Sequence, residues 1–445
     1  MQEILLETGC GTVKGTEREE DILFRGISYA TAERFSYPVP VLHWNGIYDA
    51  TGKEKNCPQY DTFREEARDA DNFYYEEFRK GDTFLYEENA LQLNIQIPKN
   101  KKKCPVLVFI HGGGHENGTL EEMPYGDGLA YTRRGLVYVS VGYRLNVFSL
   151  YESENYGLYD QIEAIRWIHK NIEAFGGDAE RIVLMGQSAG AMSIMDLLYS
   201  RLLKGIISGA IMLSGAGCVP KIVRPYTRQE AAGFWEAVRK QAGAETEEEF
   251  KSLPARDIWE AWFTVSRREQ NFHYLQPGID GRIIPDVPQT VLKKGMDLDV
   301  PVMLGVTSQD FMPYLIFEMA YGYAKRNSRK HRAPVYGYLF DRELPGNRYK
   351  AYHAADLWYW FGNRERCWRP FEEVDTRLSG QMMDYVANFV KNHGNPNGDK
   401  LPEWKPVSRK QRGFRLLDGV SEGYASPGMC RRKLWHTFLR DKGPM

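Results

Sequence analysis

The stretch Gly186-Gln187-Ser188-Ala189-Gly190 decides the fold that we predict for this chain. It follows an apolar run at 181–185 that is typical of a buried strand, and it precedes a segment at 191–198 with the apolar spacing of a buried helix. A strand, a G-x-S-x-G turn and a helix form a nucleophile elbow. The two glycines are required because so sharp a turn leaves no room for a Cβ on either side of the serine.

Because a chain with 42 glycines can match five residues by chance, the surrounding pattern matters. From residue 105 onward, short apolar runs alternate with helix-like segments such as 157–175 and 375–392. This alternation predicts a mostly parallel central sheet with helices on both faces. Two other patterns predict a half-buried strand at 91–97, where apolar and polar residues alternate, and an antiparallel hairpin within 8–30. The apolar runs lie at 106–110, 136–141, 182–185, 210–213, 300–304, 334–340 and 413–417.

Two regions lack this pattern. Residues 36–90 are rich in proline, aromatic and charged residues and show little periodicity beyond an amphipathic piece near 63–80, and we interpret them as long surface connections. Residues 219–275 are helical and charged, which predicts a cap inserted over the carboxyl edge of the sheet. We therefore expect one catalytic domain over 1–445 with an insertion at about 219–275.

Charge and composition exclude several functions. The 58 basic and 59 acidic residues nearly balance, so no overall field favours nucleic acid or an anionic membrane. The lysines at 99–103 lie between two predicted strands and indicate a solvated turn. No run of about 18 apolar residues predicts a membrane span, and no secretory signal is present. The six scattered cysteines favour a reduced, cytoplasmic protein without a zinc site.

A serine hydroxyl is nearly inert at neutral pH, so it needs a base and a carboxylate that orients the base. After a nucleophile elbow, the acid and then the histidine follow along the chain. His353 is the favoured base because its loop follows the predicted strand at 334–340. The alternatives have weaker contexts: His331 lies in a cationic run that would depress its basicity, His393 at a helix stop and His436 in the terminal helix, with His273 also in the required order.

Asp310 is the candidate acid, because it follows the predicted strand at 300–304 by a few residues. Capping of a helix that starts near Phe311 is its competing interpretation. Three other aspartates, Asp280, Asp286 and Asp299, precede that strand or lie in its approach.

A tetrahedral oxyanion needs donors that are already in place, usually backbone N–H groups. The sequence His111-Gly112-Gly113-Gly114 directly follows the strand at 106–110. We expect the N–H groups of Gly113, Gly114 and Ala189 to form this oxyanion hole.

These motifs resemble those of the type B carboxylesterases, the branch of the α/β-hydrolases that includes cholinesterases. The resemblance covers nearly the whole chain. It implies an α/β-hydrolase fold, carries the family's catalytic histidine onto His353 and requires no metal or organic cofactor. The matching segments are Phe24 to Ala30, Leu91 to Ile95, His111 to Gly114, Asn171 to Asp178, Gly186 to Gly190, His353 to Phe361 and Gly394 to Asn397.

Two positions depart from the family pattern. Where the family usually has D-E-G, with glutamate as the acid, this chain has Gln309-Asp310-Phe311, so the match puts the acid on a residue one methylene shorter. Where the family has E-D-C-L, this chain has Ala90 in place of the cysteine. The disulfide partner that the resemblance implies for Cys57 is therefore missing, which agrees with a reducing compartment.

We therefore expect a serine carboxylesterase that hydrolyses small-molecule esters through an acyl-enzyme, with no nucleic-acid or membrane partner. An amidase, a lipase or a non-catalytic binding protein of the same fold are the alternatives. The residues expected to border the substrate pocket are His115, Phe311, Met312 and Trp358, with Trp360 nearby.

Overall fold

The computed structural model describes residues 2–64, 72–215, 225–268, 272–346 and 349–440. Its strands are β1 (Gln2–Thr8), β2 (Gly11–Glu17), β3 (Asp21–Ser28), β4 (Ala30–Thr31), β5 (Val39–Pro40), β6 (Tyr48–Asp49), β7 (Lys55–Asn56), β8 (Leu85–Tyr86), β9 (Gln92–Pro98), β10 (Cys104–Ile110), β11 (Val137–Val141), β12 (Gly177–Gln187), β13 (Ile207–Leu213), β14 (Val302–Thr307), β15 (Val335–Phe340), β16 (Phe414–Leu417) and β17 (Tyr424–Ala425).

Its α-helices are α1 (Tyr60–Phe63), α2 (Phe73–Phe78), α3 (Leu129–Arg133), α4 (Asn146–Leu150), α5 (Tyr156–Asn171), α6 (Ala189–Tyr199), α7 (Arg228–Gln241), α8 (Glu247–Ser252), α9 (Ala255–Arg268), α10 (Pro288–Lys294), α11 (Pro313–Arg329), α12 (Leu357–Phe361), α13 (Glu373–Lys391) and α14 (Pro427–Arg440). No helix within the described ranges is long and apolar enough to cross a membrane.

One large sheet organises the molecule, in the order β1-β2-β3-β9-β11-β10-β12-β13-β14-β15-β16-β17, with β6 beside β2. The seven strands from β11 to β16 in this order are parallel to their neighbours. The flanking strands pair antiparallel, β1 through β9 at one edge and β17 at the other. This is the predicted mostly parallel sheet, with the opening hairpin extended to three strands.

Helices cover both faces of this sheet. On β10, Val106 and Val108 face one apolar core, which includes residues of α5, α6 and α11, whereas Leu107 and Phe109 face a second core with α3, α12 and α13. Successive side chains of a strand point to opposite faces, so an unbroken apolar strand is buried on both sides. The apolar runs of the sequence reflect this double burial.

The prediction that residues 91–97 form a half-buried strand is wrong, because β9 lies inside the sheet between β3 and β11. Its polar side chains are buried with their own partners. Asn94 Oδ1 accepts the Gly26 N–H at 2.8 Å, and Gln96 Nε2 donates to Asp127 Oδ1 at 2.9 Å. Alternating polar residues usually indicate a solvent-exposed face of a strand. Here the polar face is buried, because each of its polar side chains forms a hydrogen bond inside the protein.

Residues 36–90 are also more than surface connections. Within this region α2 places Glu77 and Phe78 in the protein interior. The amphipathic piece near 63–80 contains this helix, but the charged side chains of the region favour a surface position, whereas Glu77 is buried in an ion pair with Arg369. Residues 65–71 lie outside the described part of the chain.

Candidate active site

Ser188 lies at the carboxyl end of β12 with φ 54° and ψ −122°, a backbone conformation that side-chain-bearing residues rarely adopt. The turn is tight on both sides of the serine. A Cβ on Gly190 would lie 2.1 Å from the Ile110 carbonyl oxygen, and one on Gly186 would lie 2.6 Å from the Gly190 backbone. Both glycines of the motif are thus required by direct steric contact, as the sequence argument expects.

The serine backbone is tied to the next strand of the sheet. Its N–H donates to the Leu213 carbonyl at 2.8 Å, and its own carbonyl accepts the Met192 N–H at 3.0 Å. Ala189 is the first residue of α6, where a backbone N–H has no acceptor inside the helix. This N–H is therefore available to an oxyanion beside the serine.

The glycine-rich loop after β10 borders the same space. Gly113 has φ 102° and Gly114 has φ 68°, and a Cβ on Gly113 would lie 2.0 Å from the Asn117 carbonyl oxygen. Only glycine fits this loop without strain. Within the described residues, the N–H groups of Gly113 and Gly114 have no hydrogen-bond acceptor. Both N–H groups are therefore free to donate to a group bound beside Ser188.

Asp310 and His353 meet after being separated by 43 positions in the sequence. The Nδ1 atom of His353 lies 2.6 Å from Asp310 Oδ1, and both residues are buried. The carboxylate also accepts the Thr307 hydroxyl at 3.0 Å and the Phe311 N–H at 2.9 Å. A carboxylate held by three hydrogen bonds is fixed in place, and one that accepts from His353 Nδ1 favours the tautomer with its proton on Nδ1.

The two loops that carry this pair are joined by Gln309. Its backbone N–H donates to the Ala351 carbonyl at 2.9 Å, and its side-chain Oε1 accepts the N–H groups of Lys350 and Ala351, both at 3.1 Å. Helix α11 begins only at Pro313, with Met312 as its N-cap, so capping does not explain Asp310. The carboxylate is placed by the loop and directed at His353.

Gln187, the variable position before the serine, contacts the same imidazole. Its Nε2 atom lies 3.1 Å from His353 Nε2, which accepts the amide hydrogen when Nδ1 carries the proton. Gln187 is buried, and its Oε1 atom would lie 2.8 Å from a Cβ on Gly112. The sequence pattern treats this position as free, yet its side chain lies between the base and the glycine loop.

Ser188, His353 and Gly112 to Gly114 line one cavity of about 520 Å³. Of the four predicted pocket residues, Phe311 lines this cavity, and its ring lies 4.4 Å from the His353 ring. The other three lie elsewhere. His115 is turned toward Ser193 and Gln276, Met312 points outward, and Trp358 is fully buried behind Phe78. Trp360 is likewise buried, with its indole N–H bonded to Asp356.

The cavity lining therefore differs from the sequence prediction at His115, Met312 and Trp358. The reason for His115 is a polar network, because Ser193 and Gln276 bond both of its ring nitrogens at 3.1 and 3.2 Å. Burial lowers its pKa to about 4, so the ring is neutral near pH 7. His111, buried beside the glycine loop, has its pKa lowered to about 4 by the same cause.

A second wall of the cavity comes from residues that the sequence analysis does not assign to the pocket. Helix α2 contributes the rings of Tyr74, Tyr75 and Phe78, and Arg79 follows it. The amphipathic piece near 63–80 indicates a helix in this region, and the asparagine N-cap, Asn72, is a further start signal, but neither shows that the helix lines a cavity. The wall gives the cavity a largely aromatic surface.

Arg79 forms a charged cluster in the lining of this cavity. Its guanidinium donates to Asp61 at 3.0 Å, to Glu122 at 2.9 Å and to Gln59 at 3.2 Å. Two carboxylates around one guanidinium leave a net negative charge. The cluster thus adds carboxylate oxygens to the lining of a largely aromatic pocket.

A second buried ion pair supports the wall from behind. Arg369 donates to both carboxylate oxygens of Glu77 in α2, and the Tyr352 hydroxyl donates to Glu77 at 2.7 Å. Tyr352 immediately precedes His353. The pair therefore links α2 to the loop that carries the imidazole.

Asp356 lies behind the imidazole, with one carboxylate oxygen accepting the Tyr338 hydroxyl at 2.9 Å and the Trp360 indole N–H at 3.1 Å. Burial raises its pKa to about 6, and the negative charge of Asp310 contributes to the rise. Its partners make it a structural support of the His353 loop.

A parallel sheet flanked by helices, with a serine at an elbow on its carboxyl edge, defines the molecule as a serine hydrolase of the α/β-hydrolase fold. The chain belongs to the carboxylesterase family, whose model matches residues 2–327 and 314–422. It is accordingly a carboxylic-ester hydrolase, as the sequence resemblance predicts.

Individual relatives agree with this assignment. The para-nitrobenzyl esterase of Bacillus subtilis is 28% identical, over 93% of this chain and 94% of that protein. Bovine carboxylesterase 4A is 26% identical, over 93% and 91%. Among solved structures, a thermophilic PNB esterase superposes with a TM-score of 0.83, and a carboxylesterase of Geobacillus stearothermophilus with 0.80; each is 25% identical and covers 97% of this chain and 99% of that one.

Proposed function

We propose that Ser188, His353 and Asp310 form the catalytic triad of this ester hydrolase. The observation that carries the proposal is the 2.6 Å contact between Asp310 and His353, with the imidazole and Ser188 lining the same cavity. Asp310 keeps the proton on Nδ1, so Nε2 is the basic atom that faces the serine side. The N–H groups of Gly113, Gly114 and Ala189 serve as the oxyanion hole.

The reaction then proceeds in two halves. His353 Nε2 takes the proton of Ser188 Oγ while the oxygen attacks the ester carbonyl, and the imidazolium returns that proton to the departing alcohol. The acyl group remains on Ser188. A water molecule, deprotonated by His353, attacks this acyl-enzyme and releases the carboxylic acid. No step in this sequence requires a metal or an organic cofactor.

Gln187 occupies the catalytic base before the reaction starts. Its amide N–H occupies the lone pair of His353 Nε2 that Ser188 must reach. Proton transfer from Ser188 therefore requires the Gln187 amide to leave this hydrogen bond.

The cavity supports esters with an aromatic or apolar group and a polar end. The rings of Tyr74, Tyr75, Phe78 and Phe311 provide the apolar surface, and the Arg79 cluster provides acceptors and a net negative charge. Esters that carry a carboxylate beside this cluster are disfavoured by repulsion. Para-nitrobenzyl esters, which the name of the Bacillus subtilis relative specifies, combine a ring with an uncharged polar group.

We also propose one catalytic domain over residues 1–445 in which the 219–275 insertion forms a cap beside the cavity. Trp259 and Phe263 of α9 pack against Tyr60, a cavity-lining residue, at 6.0 and 5.6 Å between ring centres. Arg267 pairs with Glu116 at 2.7 Å, next to the glycine loop. Residues 216–224 and 269–271 of this region lie outside the described part of the chain.

A cytoplasmic location completes the proposal. The five cysteines within the described ranges, Cys10, Cys57, Cys104, Cys367 and Cys430, carry free thiols. Four of them are buried, where a thiol is a small apolar side chain. A protein of this kind suits a reducing compartment.

A fluorophosphonate probe tests the triad directly, because it phosphonylates only an activated serine. We expect one adduct, located at Ser188 by mass spectrometry of the digested protein. Ser188→Ala should abolish labelling and lower kcat for para-nitrophenyl acetate by at least about 10⁴-fold. A folded protein without an adduct at Ser188, or one that hydrolyses equally well after the substitution, would refute the proposed site.

A further inference from the structure

A second cavity, of about 420 Å³, lies at the opposite edge of the sheet from Ser188. Its walls are the second half of α11 and the segment 407–412. Helix α11 begins near Asp310 at the carboxyl edge and runs back to Arg329, shortly before β15 starts at Val335. At 1.5 Å per residue, the end of α11 is about 25 Å from its start. The cavity is therefore separate from the candidate active site.

The lining of this cavity is strongly cationic. It contains Lys325 and Arg329 from α11 and Arg409 and Arg412 from the facing segment. The hydroxyl groups of Ser328 and Ser408 also line it, and none of its eight lining residues is acidic. The chain as a whole has a formal net charge of −1, so this concentration of positive charge is local to the cavity.

The cations of this cavity differ from their neighbours in having no carboxylate partner. On the same helix, Arg326 pairs with Asp297 at 2.6 Å, and Arg431 on the adjoining α14 pairs with Glu318 at 2.5 Å. Within the described residues, no ion pair involves any of the four cavity cations. Acidic residues are available nearby and are used by other arginines.

The helix dipole explains the position of only two of the four cations. Lys325 and Arg329 occupy the last turns of α11, where a cation interacts favourably with the helix dipole. Arg409 and Arg412 belong to no helix, and their approach to α11 adds repulsion among like charges. The Val407 N–H fixes this segment by donating to the Val335 carbonyl at 2.8 Å. The fold thus holds the two cationic sides facing each other.

We propose that this cavity binds a small molecule that carries two adjacent phosphate groups. Guanidinium groups bind phosphate oxygens in a bidentate manner, and serine hydroxyls donate further hydrogen bonds. Cations on two opposite sides suit two linked phosphates, because each side can contact one group. The cavity has room for more than a single phosphate ion. This binding is distinct from ester hydrolysis and does not depend on the proposed triad.

Inorganic pyrophosphate is the probe for the test, titrated calorimetrically into the full chain at constant ionic strength. We expect saturable binding of one pyrophosphate per chain. The double substitution Arg329→Gln with Arg412→Gln should raise Kd at least tenfold. The matched double substitution Arg201→Gln with Arg377→Gln removes the same charge from exposed arginines outside the cavity, and it should change Kd less than twofold.

Several results would overturn the proposal. The absence of a saturable heat with pyrophosphate would refute the site, and an equal loss of binding in both double variants would indicate general electrostatic attraction. Binding of heparin without binding of pyrophosphate would identify a surface for a large polyanion instead. Circular dichroism and para-nitrophenyl acetate hydrolysis verify folding. If the double variant does not fold, Lys325→Gln alone should raise Kd at least threefold, and an unchanged Kd would refute the site.

Discussion

The two walls of the active-site cavity are built in different ways. The wall that carries Ser188 is held by backbone contacts of the central sheet, such as the Ser188 N–H to Leu213 hydrogen bond and the close approach of Gly190 to Ile110. The wall formed by α2 is held by side-chain charges, above all Glu77 with Arg369, 292 positions apart. The candidate nucleophile Ser188 is thus held by the central sheet. The aromatic wall that would contact the substrate is held to the rest of the protein by ion pairs between residues far apart in the sequence.

This comparison predicts that changes at the sheet wall affect rate rather than stability, and the largest such effect concerns Asp310. Asp310→Asn should lower kcat/KM for para-nitrophenyl acetate by about 10⁴-fold, because an amide can donate to Nδ1 and so stabilise the wrong tautomer of His353. The melting temperature should change little. Asp310→Glu, which keeps the charge, serves as the control and should retain more activity. A near-normal rate for the asparagine variant would move the acid's role to another residue.

Substitutions in the ion pair that supports α2 should lower stability more than they lower the catalytic rate. Arg369→Met leaves the Glu77 carboxylate buried without its cation and should lower the free energy of unfolding by about 3–5 kcal/mol, measured by urea denaturation. The double substitution Glu77→Leu with Arg369→Met removes the stranded charge and should recover more than half of that loss. A loss below about 1 kcal/mol in the single variant would mean that this wall does not depend on the ion pair.

Asp356 supports the His353 loop from the protein interior, and its contribution to stability depends on pH. Because its pKa is raised to about 6 from 3.8, the folded state binds its proton more tightly than the unfolded state. Stability from this group is therefore greatest below pH 4 and is lost as pH rises through 6. Relative to Asp356→Asn, which does not titrate, the wild type should lose about 1–1.5 kcal/mol between pH 5 and pH 7.

Urea denaturation at both pH values measures this difference. Asparagine keeps an oxygen that can accept from Tyr338 and Trp360, so the substitution preserves those contacts. A difference between the two proteins that stays constant with pH would show that Asp356 does not titrate in this range.

The smallest expected effect concerns Phe311, whose ring rests on His353 at 4.4 Å where the two walls meet. Phe311→Leu should lower kcat/KM about 2- to 10-fold, as the loss of one aromatic contact predicts. Because the ring is 45% exposed, stability should be nearly unchanged. Met312→Leu is the matched control, since Met312 is equally exposed but does not line the cavity, and a similar loss there would contradict a specific role for Phe311.

Sequence reasoning was strongest where a motif states a steric or chemical requirement. The elbow around Ser188, the glycine loop and the apolar strands all have patterns with a direct physical cause. Asp310 and His353 were selected by their positions after strands, and the structure brings these two side chains into contact. Reasoning was weakest where side-chain direction matters, since His115 and Trp358 turn away from the cavity that their positions suggested.

The sequence by itself determined the parallel sheet and the loops from which Ser188, Asp310 and His353 extend, because periodicity and glycine content express local backbone requirements. Only the tertiary structure decided how α2 lines the cavity, how Gln187 meets the imidazole and how the four unpaired cations face each other. Each of these depends on contacts between residues far apart in the chain. Such contacts leave no local pattern in the sequence, because the sequence around a charged residue is similar whether that residue forms a buried ion pair or faces solvent.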